Sequence, residues 1–113
     1  MTEQDSREII AALTSELRRG TIIIGVMSQL AEPQYGYSLV TVLQNKGMEV
    51  EPGTLYPLLR RLEKQGLLAS NWDTNEARPR KYYLLSPLGQ EVYTELCKEW
   101  NKMVEGLSSL IDA

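Results

Sequence analysis

Four leucines, Leu55, Leu58, Leu59 and Leu62, recur at the three-and-four spacing that gathers them on one face of a helix, and the segment from there to Leu85 narrows the possible folds further than any other stretch of the chain. Gly66 can take the left-handed conformation that ends such a helix. Leu67 to Trp72 and Lys81 to Leu85 then read as two short strands, rich in apolar and aromatic residues and bounded by turn formers. Between them runs a polar loop, Asp73 to Arg80, too long for a two-residue turn. It carries Arg78 and Arg80, with Lys81 directly after it. A periodic helix, a strand, a basic loop and a returning strand in that order predict a recognition helix with a two-stranded antiparallel wing.

The helix face opposite the leucines carries Tyr56, Pro57, Arg60 and Lys64, with Arg61 at its margin. Thr54 is the expected N-cap, because its hydroxyl can accept a bond from a backbone N–H of the first turn. Pro57 then falls in that first turn, where a missing N–H costs no intrahelical bond. A start at Pro52 would instead place a kink at Pro57.

The charge distribution agrees with a groove-entering helix although the total does not. The formal net charge of −3 argues against indiscriminate binding to nucleic acid. Residues 1–51 hold four basic and seven acidic side chains, residues 52–83 six and three, and residues 84–113 two and five. Positive charge is therefore concentrated on the segment that could enter a groove. Taken alone, Arg60, Arg61 and Lys64 are a solvated helix face; together with Arg78, Arg80 and Lys81 across a hairpin they point to nucleic acid.

Several function classes fall away. The chain has no histidine, which removes the commonest general base and metal ligand. It also lacks a glycine-rich phosphate loop, a cysteine pair and an acidic cluster at ligand spacing, so neither an enzyme nor a cofactor is expected. Glu91, Glu95 and Glu99 share a helix face and read as a solvated stripe. The longest apolar run, Ile22 to Met27, is far too short to cross a membrane. An acidic, polar start and a single cysteine, Cys97, fit a reducing cytoplasm and an inert thiol.

Elsewhere, Ile9, Ile10, Leu13 and Leu17 predict a helix over Arg7 to Leu17, ended or bent at Gly20. Thr21 to Leu30 predicts an apolar helix at the centre of the core. Tyr35-Gly36-Tyr37 opens the next, with Leu39, Val40 and Leu43 facing inward and a stop at Lys46-Gly47. From Pro87 to Ala113, the residues Leu88, Val92, Leu96, Trp100, Met103, Leu107 and Leu110 form one long apolar seam. The core is complete without that seam, so it needs another surface, and a second copy of the chain is the natural supplier; the alternative is that the helix folds back on its own domain.

The ordered set Leu17-Arg18-Arg19-Gly20-Thr21, Tyr35-Gly36-Tyr37, Gly53 to Leu67, Arg78 to Tyr83, Leu85, Gly89 and Trp100 resembles the PadR-like family of bacterial transcriptional regulators, in its compact branch with one C-terminal helix. The resemblance covers the chain from about residue 16 onward. It implies a homodimeric repressor that binds a palindromic operator on double-stranded DNA and is released by a small, often aromatic, effector held between equivalent tryptophans. One departure is the wing, where Asn75-Glu76-Ala77 replaces the glycine-containing tip common in the family.

The expected architecture is mainly α with a small two-stranded antiparallel β-wing: an N-terminal helix and winged helix-turn-helix in residues 1–86, then a C-terminal dimerisation helix in residues 87–113. The expected DNA-binding residues are Tyr35, Tyr37, Thr54, Tyr56, Arg60, Arg61, Lys64, Arg78, Arg80 and Lys81, with Tyr37 also readable as core and Tyr83 expected there. Leu96, Trp100, Met103 and Leu107 are the expected dimer and effector residues. The alternatives are a winged helix that binds protein instead of DNA, and a hydrolase or transferase, which the absent histidine opposes.

Overall fold

Leu55, Leu58, Leu59 and Leu62 are all buried, and the core closes around them with Val26, Met27, Leu30, Leu39, Leu43, Val50, Leu68, Tyr83 and Leu85. Each turn of that helix thus supplies one or two side chains to a shared apolar interior, the dominant favourable contribution to folding. In the computed structural model, which describes residues 2–75 and 77–112, the elements are α1 (Glu3–Arg19), α2 (Thr21–Ser28), β1 (Gln34–Tyr35), α3 (Gly36–Asn45), α4 (Pro52–Lys64), β2 (Leu68–Asp73), β3 (Arg80–Leu85) and α5 (Pro87–Asp112). Glu76, the acidic residue expected near the loop tip, lies outside the described residues. The arrangement is a winged helix: α2, α3 and α4 surround the core, and the β2–β3 hairpin projects beside α4.

The sheet has three strands, not two, in the order β1-β3-β2. All pairs are antiparallel, with Tyr35 opposite Tyr82, and with Ser70, Trp72 and Asp73 opposite Tyr83, Lys81 and Arg80. The added strand is two residues long, too short to show any alternation, and Tyr35 is both its end and the N-cap of α3. Tyr83 and Leu85 face the core as expected. Tyr37 does not; it is 53% exposed.

Helix α4 begins three residues earlier than an N-cap at Thr54 would place it. Glu51, not Thr54, is the N-cap, and the amides of Thr54 and Leu55 both donate to the Glu51 carbonyl, at 2.9 Å each. Pro52 explains the shift, since its fixed φ suits the first helical position and its missing N–H has no partner to lose there. Pro57 consequently lies inside the helix and deprives the Gly53 carbonyl of its usual donor; Gly53 is exposed, so that carbonyl is open to water. At the far end Gly66 takes φ +81°, and the Leu67 amide donates back to the Leu62 carbonyl at 2.9 Å.

The N-terminal helix is longer than the apolar spacing predicts, because Thr2 and Asp5 form a reciprocal capping box ahead of it. It ends at Arg19; Gly20 keeps right-handed helical dihedrals but separates α1 from α2. None of the described residues of α1 is buried, and Ile10 and Leu17 are 62% and 76% exposed. Only the second half of α2 reaches the core: Val26 and Met27 are fully buried, whereas Ile22, Ile23 and Ile24 are half-buried. Helix α5 starts at Pro87, where the Ser86 hydroxyl accepts from the Gly89 amide at 2.9 Å and donates to the Gly66 carbonyl at 2.7 Å. At 1.5 Å per residue it is about 39 Å long. Its first half packs on α2, and every described residue beyond Cys97 is exposed.

Candidate nucleic-acid interface

With four leucines holding one face of α4 in the core, 3.6 residues per turn fix what the other positions present. Gly53, Pro57, Arg60 and Lys64 point away from the core and are exposed. Tyr56 and Glu63 lie on the flank toward the hairpin, and Thr54 and Arg61 lie on the flank toward the α1–α2 junction, about 140° around the axis from Tyr56 to Arg61. Among the described residues, Arg60, Arg61 and Lys64 have no ion-pair partner, and neither has Arg78 on the wing loop. Elsewhere Arg7 pairs with Glu3, Lys98 with Glu95 and Lys102 with Glu99, while Arg18, Arg19 and Lys46 have no ion-pair partner among the described residues. Exposed pairs of that kind contribute little stability.

The wing is fixed to the rest of the domain at two places. On one face of the hairpin the Glu63 carboxylate accepts from the Ser70 hydroxyl of β2 and from Lys81 Nζ of β3, the latter at 3.2 Å. The Ser70 bond, with Lys81 adding to it, holds the Glu63 carboxyl below its ordinary value. On the other face Tyr35 Oη donates to Asp73 Oδ2 at 2.6 Å, and that bond raises the phenol and lowers the carboxylate. Tyr35 stacks on Tyr37 with ring centroids 5.8 Å apart, and the Arg80 guanidinium sits 5.2 Å from the Tyr35 ring centre while donating to Tyr37 Oη at 2.8 Å. The negative ring faces hold such a cation in a fixed orientation.

These contacts sort the expected residues. Tyr56, Arg78, Arg80, Lys81 and Tyr37 are brought together around one cleft between α4 and the wing. Arg60, Arg61, Lys64 and Thr54 lie along the exposed side of the same helix, although Thr54 does not cap it. Lys81 lies in β3, the strand the sequence assigns it to, but departs most from expectation in its charge, which is turned back onto Glu63 instead of outward on the wing. Tyr35 is half-buried with its hydroxyl engaged by Asp73. Glu63 and Asp73, which position the wing, escape a reading of the sequence because each looks like an ordinary surface carboxylate until the strand register puts Ser70, Lys81 and Tyr35 beside it.

A second concave surface lies between α5 and the α1–α2 junction. Leu96, Trp100, Met103 and Leu107 of α5 form one wall, and Leu17, Ile23 and Ile24 the other, around about 350 Å³. All four residues expected to serve a dimer or effector share it. Its α1–α2 wall is unexpected, because Ile23 and Ile24 read as core.

A family model described as the transcriptional regulator PadR-like family matches residues 23–95, which run from within α2 through the wing into the first part of α5. The chain belongs to the PadR-like family. It is 36% identical over 81 residues to the transcriptional regulator Rv3488 of Mycobacterium tuberculosis, spanning 71% of this chain and 76% of that protein. A PadR family transcriptional regulator from Eggerthella lenta superposes with a TM-score of 0.93 at 44% identity, covering 97% of this chain and 98% of the other. A PadR-like transcription factor from Bacteroides fragilis does so with a TM-score of 0.73 at 33% identity, covering 88% and 98%. The chain is therefore a PadR-like transcriptional regulator. No helix among the described residues is long and apolar enough to cross a membrane.

Proposed function

We propose that this PadR-like regulator is a cytoplasmic homodimeric repressor that binds a palindromic operator and is released by a small aromatic effector. The observation that carries the DNA half is the unpaired cationic face of α4, with Arg60 and Lys64 placed for base edges or phosphates and the wing beside them. Arg60 and Lys64 enter the major groove, Arg61 and Thr54 lie at its edge, and Tyr37 and Tyr56 approach the backbone. Arg78 and Arg80 hold the adjacent groove. Lys81 and Tyr35 serve by fixing the wing.

Residues 1–86 read DNA and residues 87–113 join two copies. Support for the dimer is the unpartnered seam, in which Met103, Leu107 and Leu110 are 57%, 55% and 76% exposed, more apolar surface than a monomer normally leaves to water. Support for an effector is the Trp100 groove, which is apolar and within the roughly 300–1,000 Å³ range of small-molecule sites. Selection of bound duplexes from a random library tests the whole reading. A recovered palindrome with half-sites about 10 bp apart is expected. Binding that ignores both sequence and salt would favour a protein-binding winged helix instead.

A further inference from the structure

On the flank of α4 that faces away from the wing, Thr54, Pro57 and Arg61 form a cleft with Glu16, Arg19 and Gly20 at the α1–α2 junction. Arg19 and Arg61 are therefore two arginines from elements far apart in sequence that line one depression, directly beside the DNA-reading face. Both are exposed, and among the described residues neither has an ion-pair partner. Glu16 in the same cleft pairs with neither of them. A wing holds DNA on one side of a recognition helix only. A second cationic arm on the other side would restrain the duplex from both.

We infer that the cleft between the α1–α2 junction and α4 takes the phosphate backbone of duplex DNA, with Arg19 as a contact residue paired across it with Arg61. Charge complementarity and continuity with the α4 face select this occupant over an apolar segment or a second copy, since guanidinium groups are suited to phosphate oxygens. Arg19 Nη and Nε groups would donate to one phosphate and Arg61 to the same or the next, while the Thr54 hydroxyl supplies a neutral donor at the rim. The contact carries no base information, so it adds affinity uniformly across sequences. Glu16 opposes it by placing a like charge near the phosphates.

This inference rests on the DNA-binding reading of α4, and its test separates the two. Binding of the full-length protein to a mixed-sequence duplex and to the duplex recovered by selection is measured as a function of salt, for the unmodified protein and for Arg19→Ala, Arg19→Lys, Arg61→Ala and Glu16→Gln, with light scattering on each. Arg19→Ala and Arg61→Ala should each flatten the slope of log affinity against log salt by about 1, on both duplexes alike. Arg19→Lys should restore most of the slope because it keeps the charge, whereas a merely structural arginine would not be rescued in this readout. Glu16→Gln should tighten both complexes. Unmodified protein that binds DNA, with slopes unchanged in Arg19→Ala and no gain in Glu16→Gln, overturns the cleft contact alone. Unmodified protein that binds neither duplex overturns the DNA-binding reading together with it.

Discussion

A single added methyl group at residue 89 would overlap the Leu67 backbone carbonyl, and the obstacle is main chain, which cannot turn aside. Gly89→Ala should therefore push α5 away from the β2 root and cost about 2–4 kcal/mol, in the range of overpacking and buried backbone disruption. The denaturant midpoint should fall with little change in slope; an unchanged midpoint would mean that α5 is not seated as described. At Gly53 nothing stands within 4 Å of an added Cβ, so Gly53→Ala should leave the fold intact. Arg60 is the opposite case, a residue whose removal the fold should not notice. Arg60→Ala should retain the thermal midpoint but weaken operator binding by about 1–3 kcal/mol and relax preference at one position, as measured by competition among operator variants. Identities of this kind are legible from sequence where periodicity alone places them, as with Arg60 and Lys64 opposite four leucines. Thr54 is misleading because capping propensity points to its hydroxyl, while Pro52 fixes the helix start by its ring.

At the scale of elements, α4 and the β2–β3 hairpin act as one piece because the Glu63 carboxylate ties both strands to the helix. That tie has a pH signature. Glu63 is held below its ordinary value of 4.5, so its contribution is complete above that value and is lost as pH falls through the lower folded one. Asp73, lowered chiefly by Tyr35, behaves with the same sign on the opposite face of the hairpin. The thermal midpoint should accordingly drop between neutral pH and pH of about 3, and Glu63→Gln should lose less over the same interval because it has no proton to gain there. Equal losses in both proteins would show that Glu63 is not ionised in a native tie. The helix, the two long strands and the terminal helix can all be read from sequence, since each has a period longer than its own noise. β1 cannot, being two residues whose strand partner β3 lies far along the sequence, and its Tyr35 supports the Arg80 perch from outside the hairpin.

For the whole molecule, a long axis of 56 Å against 33 and 23 Å reflects an α5 whose second half extends past the domain. Two copies sharing that overhang should melt at a temperature that rises with protein concentration, as linked association requires. Leu107→Asp should leave monomers by light scattering and abolish tight operator binding while the winged helix stays folded; a dimer that persists would place the interface elsewhere. With Trp72→Phe leaving Trp100 as the sole indole, planar aromatic compounds should quench its fluorescence and release DNA, and silence across a broad panel would leave Trp100 a packing residue. Gly20 and Ile23 border both the Trp100 groove and the Arg19–Arg61 cleft, so the two hollows share one wall at the α1–α2 junction. If an occupant of either hollow shifts that wall, thermodynamic reciprocity makes operator DNA an allosteric ligand of the aromatic site: the factor by which an aromatic compound loosens the operator must equal the factor by which operator weakens the compound.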